Sequence, residues 1–268
     1  MEFNILEILV IVSLIQGLLF CIVLLTQNKF KVRANKYLAY GTFLLVYIGV
    51  AELFLAKNLS QEYYVFDVVL DEIPWISIFY IPMLVYFLKS TNHALAESKK
   101  LLLLTIPFFI FLFFTTLIHL HHEFRWIEWQ FIQDHYFLIY ETIFYFSMLF
   151  SLTLCTISYF VIKSSNISKN EKKWLKNIWL FNFILLFIWV LDNMFYELDW
   201  LYYDNHSNIS YPIWLGVAVY VYWLIFKGLI QLKLSQDKSE INALLTSGVE
   251  IGKNQTEDAK NHKEAKIK

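Results

Sequence analysis

Seven stretches of the chain are apolar for long enough, or nearly so, to cross a bilayer, which takes about 20 residues at 1.5 Å of helical rise each. They are residues 5–26, 37–56, 74–89, 101–120, 137–162, 175–195 and 211–233. Inside them apolar residues do not alternate with polar ones. Leu101–Leu104 and Phe108–Phe114 are continuous runs, whereas barrel strands alternate over about 10 positions. The pattern predicts an all-α, polytopic transmembrane bundle of about seven helices. Block 74–89 is the shortest, begins at Pro74 and contains Pro82. It is expected to extend back through Val65–Leu70, which leaves Asp71 and Glu72 near its outer end. Residues 1–233 thus form the bundle. Residues 234–268 read as a polar cytoplasmic linker or tail, too poor in apolar residues to bury a core.

The polar segments between the blocks set the orientation. Segments 27–36, 89–100 and 163–176 carry 12 Lys and Arg; segments 57–73, 121–136 and 196–210 carry only Lys57 and Arg125. Short loops rich in Lys and Arg stay in the cytoplasm. The poor segments are instead acidic and aromatic, with Trp126, Trp129 and Trp200 at the level of an interfacial belt. The expected topology places Met1 outside and Lys268 inside, in a multi-pass protein of the bacterial inner (plasma) membrane.

Composition agrees. The chain is 58% hydrophobic and 17% charged, with 25 Phe, 17 Tyr and 9 Trp, against about 45–50% and 25% for a soluble domain. Net charge is −1 and suggests no partner by itself. Cys21 and Cys155 both lie within apolar blocks and read as small hydrophobes. The first block is long enough to span and no basic segment precedes it, so it reads as a retained helix rather than a signal peptide.

The candidate chemistry is a set of ionisable residues at membrane depth, where a carboxylate is costly unless paired or wet. Glu52, Glu141 and Asp192 fall in the outer parts of the second, fifth and sixth blocks. With Asp71, Glu72 and His119 they would ring an outward-facing pocket for a small polar or cationic ligand. The competing reading is that each reaches interfacial water. Gln16, followed by Gly17, and Asn182 read as helix-packing residues, the amides bonding across to a neighbour and Gly17 allowing close approach. His119, His121, His122 and Glu123 lack a second cluster to complete a metal site. Phosphate-loop, Gly-x-Ser-x-Gly and His-Glu-x-x-His motifs are absent from the sequence. Neither a cofactor nor an enzymatic activity is expected.

Several short elements resemble the N-terminal membrane domain of AraC-family transcriptional regulators common in Bacteroidetes. Leu14-Ile15-Gln16-Gly17-Leu18 followed by Arg33-Ala34-Asn35-Lys36-Tyr37-Leu38 resembles the family's opening. Ile81-Pro82-Met83-Leu84-Val85-Tyr86-Phe87-Leu88-Lys89-Ser90 is similar to its Gly-Pro-Leu-Leu-Tyr-x-Tyr element, with Ile81 in place of the Gly. Ser168, Glu171 and Trp174-Leu175 fit the approach to the sixth span. Tyr222-Trp223, Lys227-Gly228 and Gln231 fit the exit from the last, with Phe226 where Tyr is frequent. The resemblance covers about residues 5–233 and implies a sensor that relays an outer-side signal to a cytoplasmic DNA-binding domain. That domain needs about 100 residues and this chain does not contain it, so DNA is an expected partner only through the missing module. The other expected partners are the lipid bilayer, a small polar ligand on the outer side and a second copy in a homodimer. The alternative is a membrane transporter or channel for a small polar or cationic solute; it would need polar groups at mid-depth, where the sequence shows its inner halves as apolar.

Overall fold

The computed structural model describes residues 4–27, 33–56, 75–122, 130–197, 215–228 and 230, with backbone alone at 52, 55, 56, 119–122, 132, 133, 136, 137, 140 and 192–197. Among the described residues there are seven α-helices and no strand: α1 (Ile5–Thr26), α2 (Arg33–Ala56), α3 (Trp75–Ser90), α4 (Ile106–His122), α5 (Gln130–Ser164), α6 (Lys169–Glu197) and α7 (Leu215–Gly228). The chain divides into two units, 1–223 and 224–268; the described residues of the second are 224–228 and 230. The expected tail, 234–268, and the extension through 65–70 lie outside the described residues.

Four stretches are long and apolar enough to cross a membrane: Ile5–Thr26, Lys99–Ile118, Glu141–Ser164 and Lys169–Leu191. Trp75–Ser90 and Leu215–Gly228 are shorter apolar helices. The packing of α1 shows what kind of solvent its surface suits. Its buried face includes Glu7, Ser13 and Gly17, while the large side chains it exposes between Ile5 and Leu25 are all Ile, Leu or Val. A water-soluble helix has the opposite arrangement, with its polar face outward.

The pairs α1–α2, α2–α3 and α4–α5 run antiparallel, as their contacts show. The Cys21 thiol donates to the Ala39 carbonyl (3.3 Å), Tyr47 meets Trp75 edge-on, and Phe111 and Ile118 cluster with Ile143. The centre is α3. Ten of its 16 residues are buried, Ser77 and every residue from Phe79 to Leu88 except Pro82, and it packs most extensively against α2 and α5. Near-continuous burial is what an apolar helix surrounded by other helices adopts. Pro82 donates no N–H, so the Ile78 carbonyl one turn back loses its intrahelical partner.

The fourth element departs from expectation. An α-helix from 101 was expected, but Lys99–Thr105 is 3-10 and the α-helix starts at Ile106. Pro107 is the reason: proline fits only the first turn of an α-helix, so the α-geometry cannot begin much earlier. In α5 the backbone at His135 leaves the helical region (φ −124, ψ 17), a kink that sets 130–134 apart from the long apolar stretch.

The helix ends where Lys and Arg concentrate are closed by local bonds. Asn92 adopts φ 52, and the N–H groups of Asn92 and His93 donate to the carbonyls of Lys89 (3.2 Å) and Leu88 (2.9 Å). This is a Schellman stop with Asn in the left-handed position. Glu97, at the end of a short 3-10 turn (Ala94–Glu97), pairs with Lys89 (3.1 Å) and Arg33 (3.5 Å), tying that turn to α2 and α3. The Lys89 ammonium, with which Glu97 also hydrogen-bonds, holds its carboxyl below the usual carboxylate range. Lys172 at the start of α6 donates to the carbonyls of Lys163 (2.7 Å) and Ser165 (2.9 Å), capping the end of α5. Ser168 and Glu171 cap α6 in turn.

Two glycines set helix spacing. A Cβ on Gly17 would stand 2.7 Å from Val46 Cγ2 and 3.2 Å from Val221 Cγ1; one on Gly41 would stand 2.6 Å from Met83 Sδ. Valine is stiff at χ1 whereas the Met thioether bends away. Gly17→Ala is therefore expected to destabilise the bundle by about 1–3 kcal/mol through overpacking. Gly41→Ala is expected to cost little, since helix propensity returns up to about 1 kcal/mol. Thermal unfolding of the two purified variants checks this, and equal losses would show that neighbour stiffness does not decide the cost.

Candidate functional site

Polar groups gather midway along α3, α5, α6 and α7. The Tyr80 hydroxyl of α3, fully buried, donates to the Asn182 carbonyl of α6 (2.9 Å). It is also within electrostatic reach of Cys155 on α5 and Tyr220 on α7. One and a half turns further along α3, the Tyr86 hydroxyl accepts from the Trp174 indole (3.3 Å). Trp174 stacks on Trp223, and Phe181 packs against both Tyr220 and Trp223. These rings form a seam between α6 and α7.

The face of α5 turned inward carries Ser147, Ser151, Leu154, Cys155 and Ser158, all buried. Their spacing of three and four residues keeps them on one side of a helix. Ser151 and Ser158 donate back to the carbonyls of Ser147 (2.9 Å) and Leu154 (2.8 Å), which satisfies a hydroxyl without a second helix. The Trp179 indole donates to the Cys155 carbonyl (2.8 Å) and Phe144 packs against Trp189. These two contacts fix the α5–α6 register and place Asn182 level with Ser151. Asn182 is 1% exposed, and neither atom of its amide has a hydrogen-bond partner; the same holds for the Ser147 hydroxyl, also 1% exposed. The Tyr220 hydroxyl faces the Asn182 amide as a near hydrogen-bond partner, the contact falling short of full hydrogen-bond geometry.

The residues expected to ring an outer pocket fare differently. Asp71 and Glu72 lie outside the described residues. Glu52, His119 and Asp192 sit on the backbones of α2, α4 and α6, near the helix ends opposite the basic ones, and their side chains are outside the description. Glu141 is half-buried in α5, just beyond the kink, and the α5–α6 register puts it level with Asp192. The structure therefore places these two positions at one depth. Of the packing residues, Gly17 lies at a close approach, while Gln16 is half-buried on α1. Asn182 binds across helices, but through its backbone carbonyl rather than its amide.

Sequence reading missed two things. Glu7, 2% exposed, is a buried carboxylate of α1 that forms a reciprocal cap with Asn4 (2.9 and 2.8 Å). The Asn-x-x-Glu spacing was the available signal. The second is that the half of the bundle nearer the basic ends is not wholly apolar: Asn35, Thr42, Ser151, Cys155 and Ser158 are buried there. Small polar side chains within an apolar block are averaged away by a run-length reading.

No family model, no curated protein and no solved structure matches the chain.

The bond from Tyr80 ends on a backbone atom, which makes it separable from the Asn182 side chain. Tyr80→Phe is expected to destabilise the bundle by about 0.6–1.7 kcal/mol, the range of interhelical hydrogen bonds in membrane proteins. Combined with Asn182→Ala, the losses should add within about 0.5 kcal/mol. A double-mutant cycle by thermal unfolding measures this; a larger coupling would mean that Tyr80 acts on the amide.

Proposed function

We propose that the chain is a seven-span membrane bundle with its N-terminus outside and its basic helix ends in the cytoplasm, serving as the sensing domain of an AraC-type transcriptional regulator. Four helices long and apolar enough to cross a membrane, and the aliphatic exterior of α1, support the embedding. Partition of Lys and Arg into alternate segments supports the orientation. The basic helix ends, closed by Asn92, Glu97 and Lys172, then face the side where a DNA-binding module would attach.

One observation carries the sensor reading: the polar centre is shared by four helices and is neutral. Tyr80, Asn182, Ser147, Ser151, Cys155 and Tyr220 include no side chain charged at neutral pH. Proton and ion pathways use carboxylates, lysines or histidines within the membrane. A neutral set held by few bonds suits a bundle with two packings of similar energy, and a ligand that binds one packing better shifts the balance. Tyr80 and Tyr86 connect α3 to α6, so a shift of α6 is felt by the central helix. Polar groups at mid-depth are also what a transporter for a neutral solute requires, and the second reading rests on that observation.

Topology and function are tested separately. Alkaline phosphatase fused after Asn58, Gln130 or Asn205 is expected to be active, and after Arg33, Asn92 or Ser168 inactive. A pattern that does not alternate overturns the span count, and an inverted one the orientation. For function, residues 1–268 joined to a cytoplasmic DNA-binding reporter domain are expected to give an output that Tyr80→Phe changes severalfold. Reconstituted vesicles should take up no more neutral solute than protein-free controls. Uptake abolished by Tyr80→Phe, with reporter output unmoved, would establish the transporter instead.

A further inference from the structure

The Asn182 amide presents an acceptor and two donors, 1% exposed, and none of them is met in full hydrogen-bond geometry. In an apolar bundle such a group has no water to fall back on, and an unpaired polar group there calls for a partner. Several features converge on the same place. Tyr80 holds the Asn182 backbone from α3, which fixes where the amide stands. By the α5–α6 register, the helix facing it presents small side chains, Ser151 at its level and Cys155 one turn below, in place of large apolar ones. Ser147, one turn above Ser151, has a second orphaned hydroxyl, 1% exposed. On α7 the Tyr220 hydroxyl comes close to bonding the Asn182 amide but falls short of full hydrogen-bond geometry.

We infer that the centre around Asn182 and Ser147 is an internal binding site, closed in this conformation, for a small neutral molecule carrying both a hydrogen-bond donor and an acceptor. The class follows from the groups. Nδ2 needs an acceptor, Oδ1 needs a donor, and the Ser147 hydroxyl takes either. The described side chains that frame the site carry no charge to balance an ion. Water is the smallest molecule of this class, and a primary amide or an alcohol is the next. Occupancy would require α5 and α6 to part slightly beside Asn182, which couples filling of the site to helix packing. The inference deepens the sensor reading by naming its ligand class, and it rests only on the membrane-embedded bundle of that reading.

The chain contains its own probe and control. Cys155 borders the site, and Cys21 lies between α1 and α2 with its thiol bonded to Ala39. The two are equally buried, at 2% and 3% exposure. The intact chain in lipid nanodiscs is treated with methyl methanethiosulfonate, and modification of each cysteine is followed by mass spectrometry. Reaction runs through the thiolate, which only a hydrated or opening site supports, so Cys155 should react faster than Cys21 by about an order of magnitude. Asn182→Leu should remove most of that difference and leave Cys21 unchanged. Should that variant fail to fold, seen as a rise at both cysteines, Ser147→Ala provides the same comparison with a smaller change. Acetamide added as a competitor separates the occupants: slowing at Cys155 alone assigns the site to a solute, and an unaltered rate assigns it to water. Equal rates at the two cysteines in the unaltered chain, or a contrast that survives both substitutions, would overturn the inference. Because the readout is chemical, it can succeed while reporter output stays flat, in which case the site stands and the sensor reading falls.

Discussion

A polar group enclosed by apolar helices must find its partner inside the bundle, and α3 is where this constraint is concentrated. The helix is buried along nearly its whole length, and its tyrosine hydroxyls are answered by neighbouring helices. Tyr80 and Tyr86 reach α6, and Thr91 turns back to the Phe87 carbonyl at the helix end. Where α3 can bond determines where α6 must stand. The register of α6 against α5 and α7 follows through the contacts of Trp179, Phe181 and Trp174.

The packing around α3 has two characters. Toward α1 and α2 it depends on small residues, with Gly17 and Gly41 letting backbones approach and Val10, Leu14 and Val46 filling the seam. For a bundle in lipid, as proposed, there is no water to expel between helices, and such close fit would supply much of the association energy. Toward α6 and α7 it depends on rings, whose large contact area tolerates wider spacing. The tight side cannot shift without collision, whereas rings can slide past one another. The polar centre lies on the side of the rings.

The ends of the helices obey different rules from their middles. Near the basic residues, caps close the chain locally: a left-handed Asn92, the reach of Lys172 to the last carbonyls of α5, and the pairing of Glu97 with Lys89 and Arg33. All but the Arg33–Glu97 pair join residues close in sequence, so this end holds its shape largely by local bonds.

The sequence alone determined the class of the protein. Runs of apolar residues specify helices because only a helix satisfies its own backbone within one segment, and the described helices match those runs closely. It also marked Gly17 and Asn182 as unusual, since a small or polar residue is conspicuous in an apolar run. It misplaced the start of α4, although Pro107 was there to be read. What it did not determine was partnership. Run length cannot tell that Tyr80 bonds a carbonyl 102 residues away, or that Gly41 is as crowded as Gly17, because both depend on which helices become neighbours. The acidic positions show the same division: their types and depth are legible, but Glu141 and Asp192 come level only through the α5–α6 register. The polar centre itself was hidden because serine and tyrosine scatter singly among apolar residues. Only the tertiary structure turned those scattered positions toward one another.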